Sequence, residues 1–176
     1  SLRRQRQMCI RDSDCTDAII VCGNTGFEGL SATGIGIQEL GFNNCSSQEN
    51  NSIWLMLSID TGGTLGFTLT PESSDIDVDF DFFIFGPNAD CTNLGQAIRC
   101  STTNPIAANA SDNLTGLNQD ETDTSEGPGA DGNSFVQWLT VNNGESYFLV
   151  IDRPVGSSNF SLTWTGTCLL YTSDAA

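Results

Sequence analysis

The run Asp75-Ile76-Asp77-Val78-Asp79-Phe80-Asp81 sets four carboxylates at every second position. In an extended chain alternate side chains share a face, and successive members of that face lie about 7 Å apart. Carboxylates in such a row repel one another unless positive charge stands against them. Calcium fits the need, because it accepts six to eight hard oxygen ligands in loose geometry. The run is not an EF-hand loop, since it has neither the glycine at the sixth position nor the glutamate at the twelfth. The same face continues as Phe83 and Phe85, so Asp81 and then Asp79 are the acids nearest a core. Asp152 ends the apolar run Tyr147–Ile151, while Glu126 and Asp131 flank a Gly-Pro-Gly turn. The expectation is one calcium site built from Asp79, Asp81, Asp131 and Asp152, with Glu126 as a further ligand. The alternative leaves Asp75 and Asp77 as solvated loop acids and Asp152 as a turn cap.

Other chemistries are poorly supplied. The chain has no His to act as a base and no Lys to form a Schiff base. Gly34-Ile35-Gly36 carries Glu39 where a dinucleotide-binding loop would need its third glycine. Paired carboxylates alone can hydrolyse glycosides, but with 22 acids a suitable pair arises by chance. The reading is therefore non-enzymatic. A carbohydrate-binding module is the alternative, with a carboxylate-based glycoside hydrolase behind it. Trp54 and Trp164 lie in apolar strand patterns and read as core, whereas Trp138 is open to either role.

Both ends of the chain look foreign to it. Arg3 to Asp12 and Cys168 to Ala176 back-translate to strings that are inverted complements over their shared stretch, as translated sequencing adapters would be. Residues 1–13 and 168–176 are accordingly set aside, leaving 14–167 as one domain. Outside those ends the only basic residues are Arg99 and Arg153, in a chain whose net charge is −16. Such a surface repels nucleic acid and anionic lipid, and suits binding of cations. No apolar run reaches the roughly 20 residues of a membrane helix. Five cysteines remain, with no CxxC pair and no His, so disulfides in an exported protein explain them better than a metal cluster. Cys91 and Cys100 bracket a short polar loop and are expected to pair. Cys22 with Cys45 is the second expectation, leaving Cys15 over.

The elements that must hold these groups show a period of two. Residues 53–59, 65–69, 79–85, 135–141, 147–151 and 160–164 alternate apolar and polar or small residues, as strands do. Asp60-Thr61-Gly62-Gly63 separates the first two, as a hairpin turn would. Asp152-Arg153-Pro154 should end the fifth. Ala18 to Val21 is the best strand candidate nearer the N-terminus. No capped, helix-length apolar stripe occurs, so the fold class is all-β: an antiparallel β-sandwich of jelly-roll or CUB-like type. Gly86 to Ser134 lacks alternation and reads as a long irregular surface loop with a short helical turn.

Several stretches also carry a resemblance. Asp14-Cys15 through Cys22-Gly23-Asn24, Gln48 through Trp54, Gly63 through Phe67 and Asp79 through Pro87 are among them. So are Ala97 through Ser101, Glu121 through Gly132, Tyr147 through Pro154 and Phe160 through Thr167. Together they resemble β-sandwich modules of large gliding-motility-associated bacterial surface proteins exported by the type IX route. The resemblance implies a domain akin to CUB and pre-peptidase C-terminal modules, which often hold calcium. It also implies a secreted, cell-surface structural or adhesion role. Partners would be neighbouring domains of the parent chain, surface polysaccharide or another cell-surface protein.

Overall fold

The computed structural model describes residues 12–41, 45 and 47–172. Two sheets face one another, and among the described residues the regular structure is almost wholly strand. In the first sheet the order is β1 (Ile19–Val21), β3 (Ser52–Thr61), β11 (Ser146–Val155), β5 (Asp79–Phe85), β6 (Arg99–Ser101) and β8 (Ser125–Glu126), with β13 (Leu169–Leu170) also on β3. The second runs β2 (Phe27–Leu30), β12 (Phe160–Gly166), β4 (Gly63–Pro71), β7 (Thr115–Asn118) and β9 (Phe135–Gln137), with β10 (Leu139–Val141) also on β4. Most pairings are antiparallel; β1 with β3, β6 with β8 and β7 with β9 are parallel, so both sheets are mixed. The all-β sandwich expected from the period of two is the observed architecture.

Alternation builds the core between the sheets. Leu55, Leu57, Phe80, Phe82, Ile84, Leu149 and Ile151 from the first sheet meet Leu65, Phe67, Leu69, Phe160 and Leu162 from the second. Phe67 packs edge-on against Phe82, and Phe80 against Phe160, each pair with centroids 5.1 Å apart. Such contacts add to the hydrophobic term, at roughly 25 cal/mol per Å² buried.

The first sheet is also buried on its other face. Trp54, Phe83, Phe85, Cys100, Phe148 and Val150 point away from the sandwich and are covered by Cys15, Leu40, Cys45 and Ala97. Trp54 stacks on Phe85 and meets Phe148 edge-on. Strands β3 and β5 are therefore apolar on both sides, which is why Asp79–Phe85 is buried at every position.

Four expectations need correction. The Asp60–Gly63 turn does not close a hairpin: β3 and β4 belong to opposite sheets, so the turn carries the chain across the sandwich. Pro154 does not end β11, which continues to Val155 through a register shift after Asp152. Gly86 to Ser134 is not one loop, because β6, β7 and β8 arise in it and complete both sheets. The helical turn expected there is real, with Ala108 N donating to Asn104 O at 3.0 Å.

The fourth correction concerns the disulfides. Cys91 and Cys100 do not pair with each other; the bridges are Cys15–Cys91 and Cys45–Cys100. Cys100 lies opposite Phe83 on the covered face, turned toward the segment above the sheet, while Cys91 sits in a turn beyond it. Cys45–Cys100 thus pins an irregular segment onto β6, and Cys15–Cys91 ties the N-terminal segment over the outer face to the turn after β5. Neither closes a local loop. Cys22 is an exposed free thiol, not a partner of Cys45, and Cys15 is not left over. Two such bridges indicate folding in an oxidising environment. Among the described residues no helix is long and apolar enough to cross a membrane. Of the terminal stretches set aside, residues 1–11 and 173–176 lie outside the described residues, while Cys168 is buried and Leu169–Leu170 pairs with β3.

Candidate metal centre

Three of the five acids expected in one site share the outer face of the first sheet. Alternation along β5 sends Phe80 and Phe82 inward, and Asp79 and Asp81 outward with Phe83 and Phe85. Asp152 stands directly across from Asp81 on β11, on the same outer face as Val150. Relative exposures of 4 %, 2 % and 0 % for Asp79, Asp81 and Asp152 mean that none keeps its hydration shell.

The polar segment above the sheet compensates them unequally. Asp152 Oδ1 accepts hydrogen bonds from the backbone N–H groups of Asn50 and Asn51 at 2.7 and 2.8 Å, and its Oδ2 accepts from Asn50 Nδ2 at 2.8 Å. Asp79 Oδ2 accepts from Asn104 Nδ2 at 3.1 Å, and Asp81 Oδ2 from Ser47 Oγ at 3.2 Å. The remaining oxygens, Asp79 Oδ1 and Asp81 Oδ1, are buried without any hydrogen-bond partner. A buried polar atom so placed costs about 1–3 kcal/mol, and more when charged.

No described cation answers the charge. Arg153, adjacent to Asp152, directs its guanidinium to the carbonyls of Gly156 and Ala32. Arg99 is spent on the carbonyls of Ile98, Gln137 and Trp138. Burial consequently pushes the Asp79 carboxyl up to about 6, with the charge of Asp152 adding to the rise and Asn104 opposing it. Burial, then Asp79 and Asp152, hold Asp81 well above the ordinary carboxylate range. Burial also raises Asp152, against its bonds from Asn50 and Asn51.

Glu126 and Asp131 are not part of this group. Glu126 lies in register with Ser101 and, through it, with Phe82, on the side of the sheet opposite Asp81. Its carboxylate closes the Gly-Pro-Gly loop by accepting from Asn133 N, Ser134 N and Thr103 Oγ1 at 2.7 to 2.9 Å. Asp131 is exposed on that loop, where it borders a shallow cavity with Asp123 and Glu126. Asp75 and Asp77 lie in an exposed turn ahead of β5 and extend no carboxylate row along the strand. Among the described residues no three His, Cys, Asp or Glu side chains are drawn together as ligands of one bound ion would be.

Ser47, Asn50 and Asn104 serve the trio without any mark in the sequence, because irregular segments carry no period. Glu49 was equally hidden: its Oε1 accepts from Trp54 Nε1 at 2.8 Å, and burial pushes its carboxyl up to about 6. The tryptophans also separate. Trp54 is fully buried, Trp164 is half-buried with its Nε1 enclosed and unpartnered, and Trp138 is half-buried with no such enclosure. No protein-family model matches the chain, and no curated protein matches it.

Proposed function

We propose that the chain is a non-catalytic extracellular module, structural or adhesive, of a larger secreted surface protein of the gliding-motility kind, and that calcium stabilises it. The single observation supporting the calcium is the pair of unpartnered buried oxygens, Asp79 Oδ1 and Asp81 Oδ1, beside the carboxylate of Asp152. Three buried acids with no cation beside them among the described residues must bind protons or a metal. All-oxygen donors in a chain of net charge −16 fit calcium better than a soft metal. Asp79, Asp81 and Asp152 would hold the ion, with Ser47 and Asn104 at its margin. The two disulfides and the resemblance support export. The non-catalytic reading rests on the lack of any imidazole or amine base.

Calcium titration of chelator-treated protein, followed by melting temperature, tests the reading. An ion at 100-fold excess over its dissociation constant stabilises by about 2.7 kcal/mol. In a domain of this size that raises the midpoint by roughly 5–10 °C. A midpoint unmoved by millimolar calcium removes the metal from the proposal.

A further inference from the structure

The two outer faces of the sandwich differ. That of the first sheet is covered, whereas Thr70, Thr163 and Thr165 on the second sheet's outer face are exposed. On this open face a cleft of about 310 Å³ is bordered by Thr68, Leu117, Asn118, Asp120, Trp138 and Thr165. That volume is at the small end of ligand-binding clefts. We propose that the cleft binds a neutral polysaccharide chain, with a sugar ring stacked on Trp138. The inference rests on the reading of the module as adhesive and names its ligand class.

Trp138 is placed for such a role. It lies between β9 and β10, where it lines the cleft with Thr68 and Thr165 while also packing against the core between the sheets. A Cβ at Gly66 would come within 2.5 Å of Thr165 Oγ1 and 3.0 Å of Leu117 O, so the floor of the cleft is closely packed there. The backbone under the indole is held on both sides. Trp138 N donates to Asn118 O at 2.9 Å, and Arg99 donates to the carbonyls of Gln137 and Trp138 at 2.7 and 3.3 Å. A ring so fixed loses little freedom when a ligand stacks on it. Trp138 Nε1 is neither enclosed nor bonded to a described group, unlike the indole nitrogens of Trp54 and Trp164.

The rim fits a hydroxyl-rich, uncharged ligand. Asn118 Oδ1 is fixed by the backbone N–H groups of Asp120 and Glu121 at 2.9 and 3.1 Å, which leaves Nδ2 to donate outward. The hydroxyls of Thr68 and Thr165 can each donate and accept. Among the described residues Asp120 is the one charged group on the rim, and the net charge of −16 disfavours an anionic chain.

Affinity electrophoresis of the intact chain through gels containing laminarin, xyloglucan or galactomannan, with alginate as the anionic control, tests this. At least one neutral polymer should retard the protein, and Trp138→Ala should weaken that retardation about tenfold or more, as loss of a central aromatic anchor does. Trp138→Phe should recover part of it. Thr165→Ala, at an exposed position that cannot unfold the sheet, should weaken it several-fold even if Trp138→Ala folds poorly. Retardation by none of the neutral polymers, by alginate alone, or equally in wild type and Thr165→Ala overturns the proposal. Assay of the same polymers for released reducing ends separates the two readings. Product formation refutes the non-catalytic module, whereas absence of both products and retardation refutes the cleft alone.

Discussion

Asp81 on β5 and Asp152 on β11 are direct cross-strand neighbours on the covered face of one sheet, yet only Asp152 has both oxygens occupied by protein donors. Like charges directly opposed across a strand pair destabilise it. Here they are also removed from water, so a proton or a cation is needed between them.

Without divalent cations, the protein should melt at higher temperature in mild acid than at neutrality. Asp79 and Glu49 each have a folded-state carboxyl raised to about 6 by burial, and burial holds Asp81 well above its ordinary value too. The folded chain therefore holds protons that the unfolded chain, titrating near 4, has released. The stability these groups contribute is fully present below about pH 4 and is lost as pH rises through 6. Calorimetry in chelator between pH 4.5 and 7.5 should show the midpoint falling with pH. Saturating calcium should flatten that fall, because the metal replaces the proton. A midpoint that climbs with pH in chelator contradicts the account.

Substitution should separate the two opposed aspartates. Asp81→Asn removes charge from a site with one unpartnered oxygen, so in chelator at pH 7 it should leave the midpoint unchanged or raise it by a few degrees. The same change should abolish the calcium response. Asp152→Asn leaves Asn50 Nδ2 facing another amide donor and should cost about 1–3 kcal/mol. Equal effects of the two in chelator would count against the unequal compensation described here.

The disulfides should be worth more than local staples. Cys15–Cys91 and Cys45–Cys100 span 76 and 55 residues. In the chain-entropy model loops of that length give about 4 kcal/mol each, with measured values of about 2–4 typical. Cys45→Ser with Cys100→Ser should lower the midpoint by roughly 5–15 °C. Alkylation of native protein should label Cys22 and spare buried Cys168, and peptide mapping should recover the two bridges. A Cys91–Cys100 peptide would refute the connectivity.

Gly116→Ala should destabilise by more than about 1 kcal/mol. Its Cβ would stand 2.0 Å from Phe67 O, a backbone atom of the paired strand that cannot move aside without opening the sheet. Chemical denaturation reads the change directly.

How far the sequence reaches can be judged from particular residues. Strands β3, β5, β11 and β12 were legible because each is long enough to alternate. β6 and β8 are three and two residues long and exist only because β5 and its neighbours offer an edge. Asp60–Gly63 satisfied the chemistry of a turn, and a turn between sheets needs the same chemistry as one within a sheet. Asp79 and Asp81 were placed with Phe83 because a strand fixes facing, and Asp152 because it ends an alternating run. Glu126 and Asp131 border a loop, where spacing carries no information about direction. Proximity along the chain is equally silent about the cysteines, whose partners are set by the layer above the sheet.

That added layer gives the domain a sealed back and an open front. Anything that touches the back must first displace two segments clamped by sulfur–sulfur bonds, whereas the front meets its surroundings with no rearrangement at all. On the adhesive reading proposed above, variants that change ligand choice should fall on one hemisphere, and variants that change whether the molecule survives its surroundings on the other.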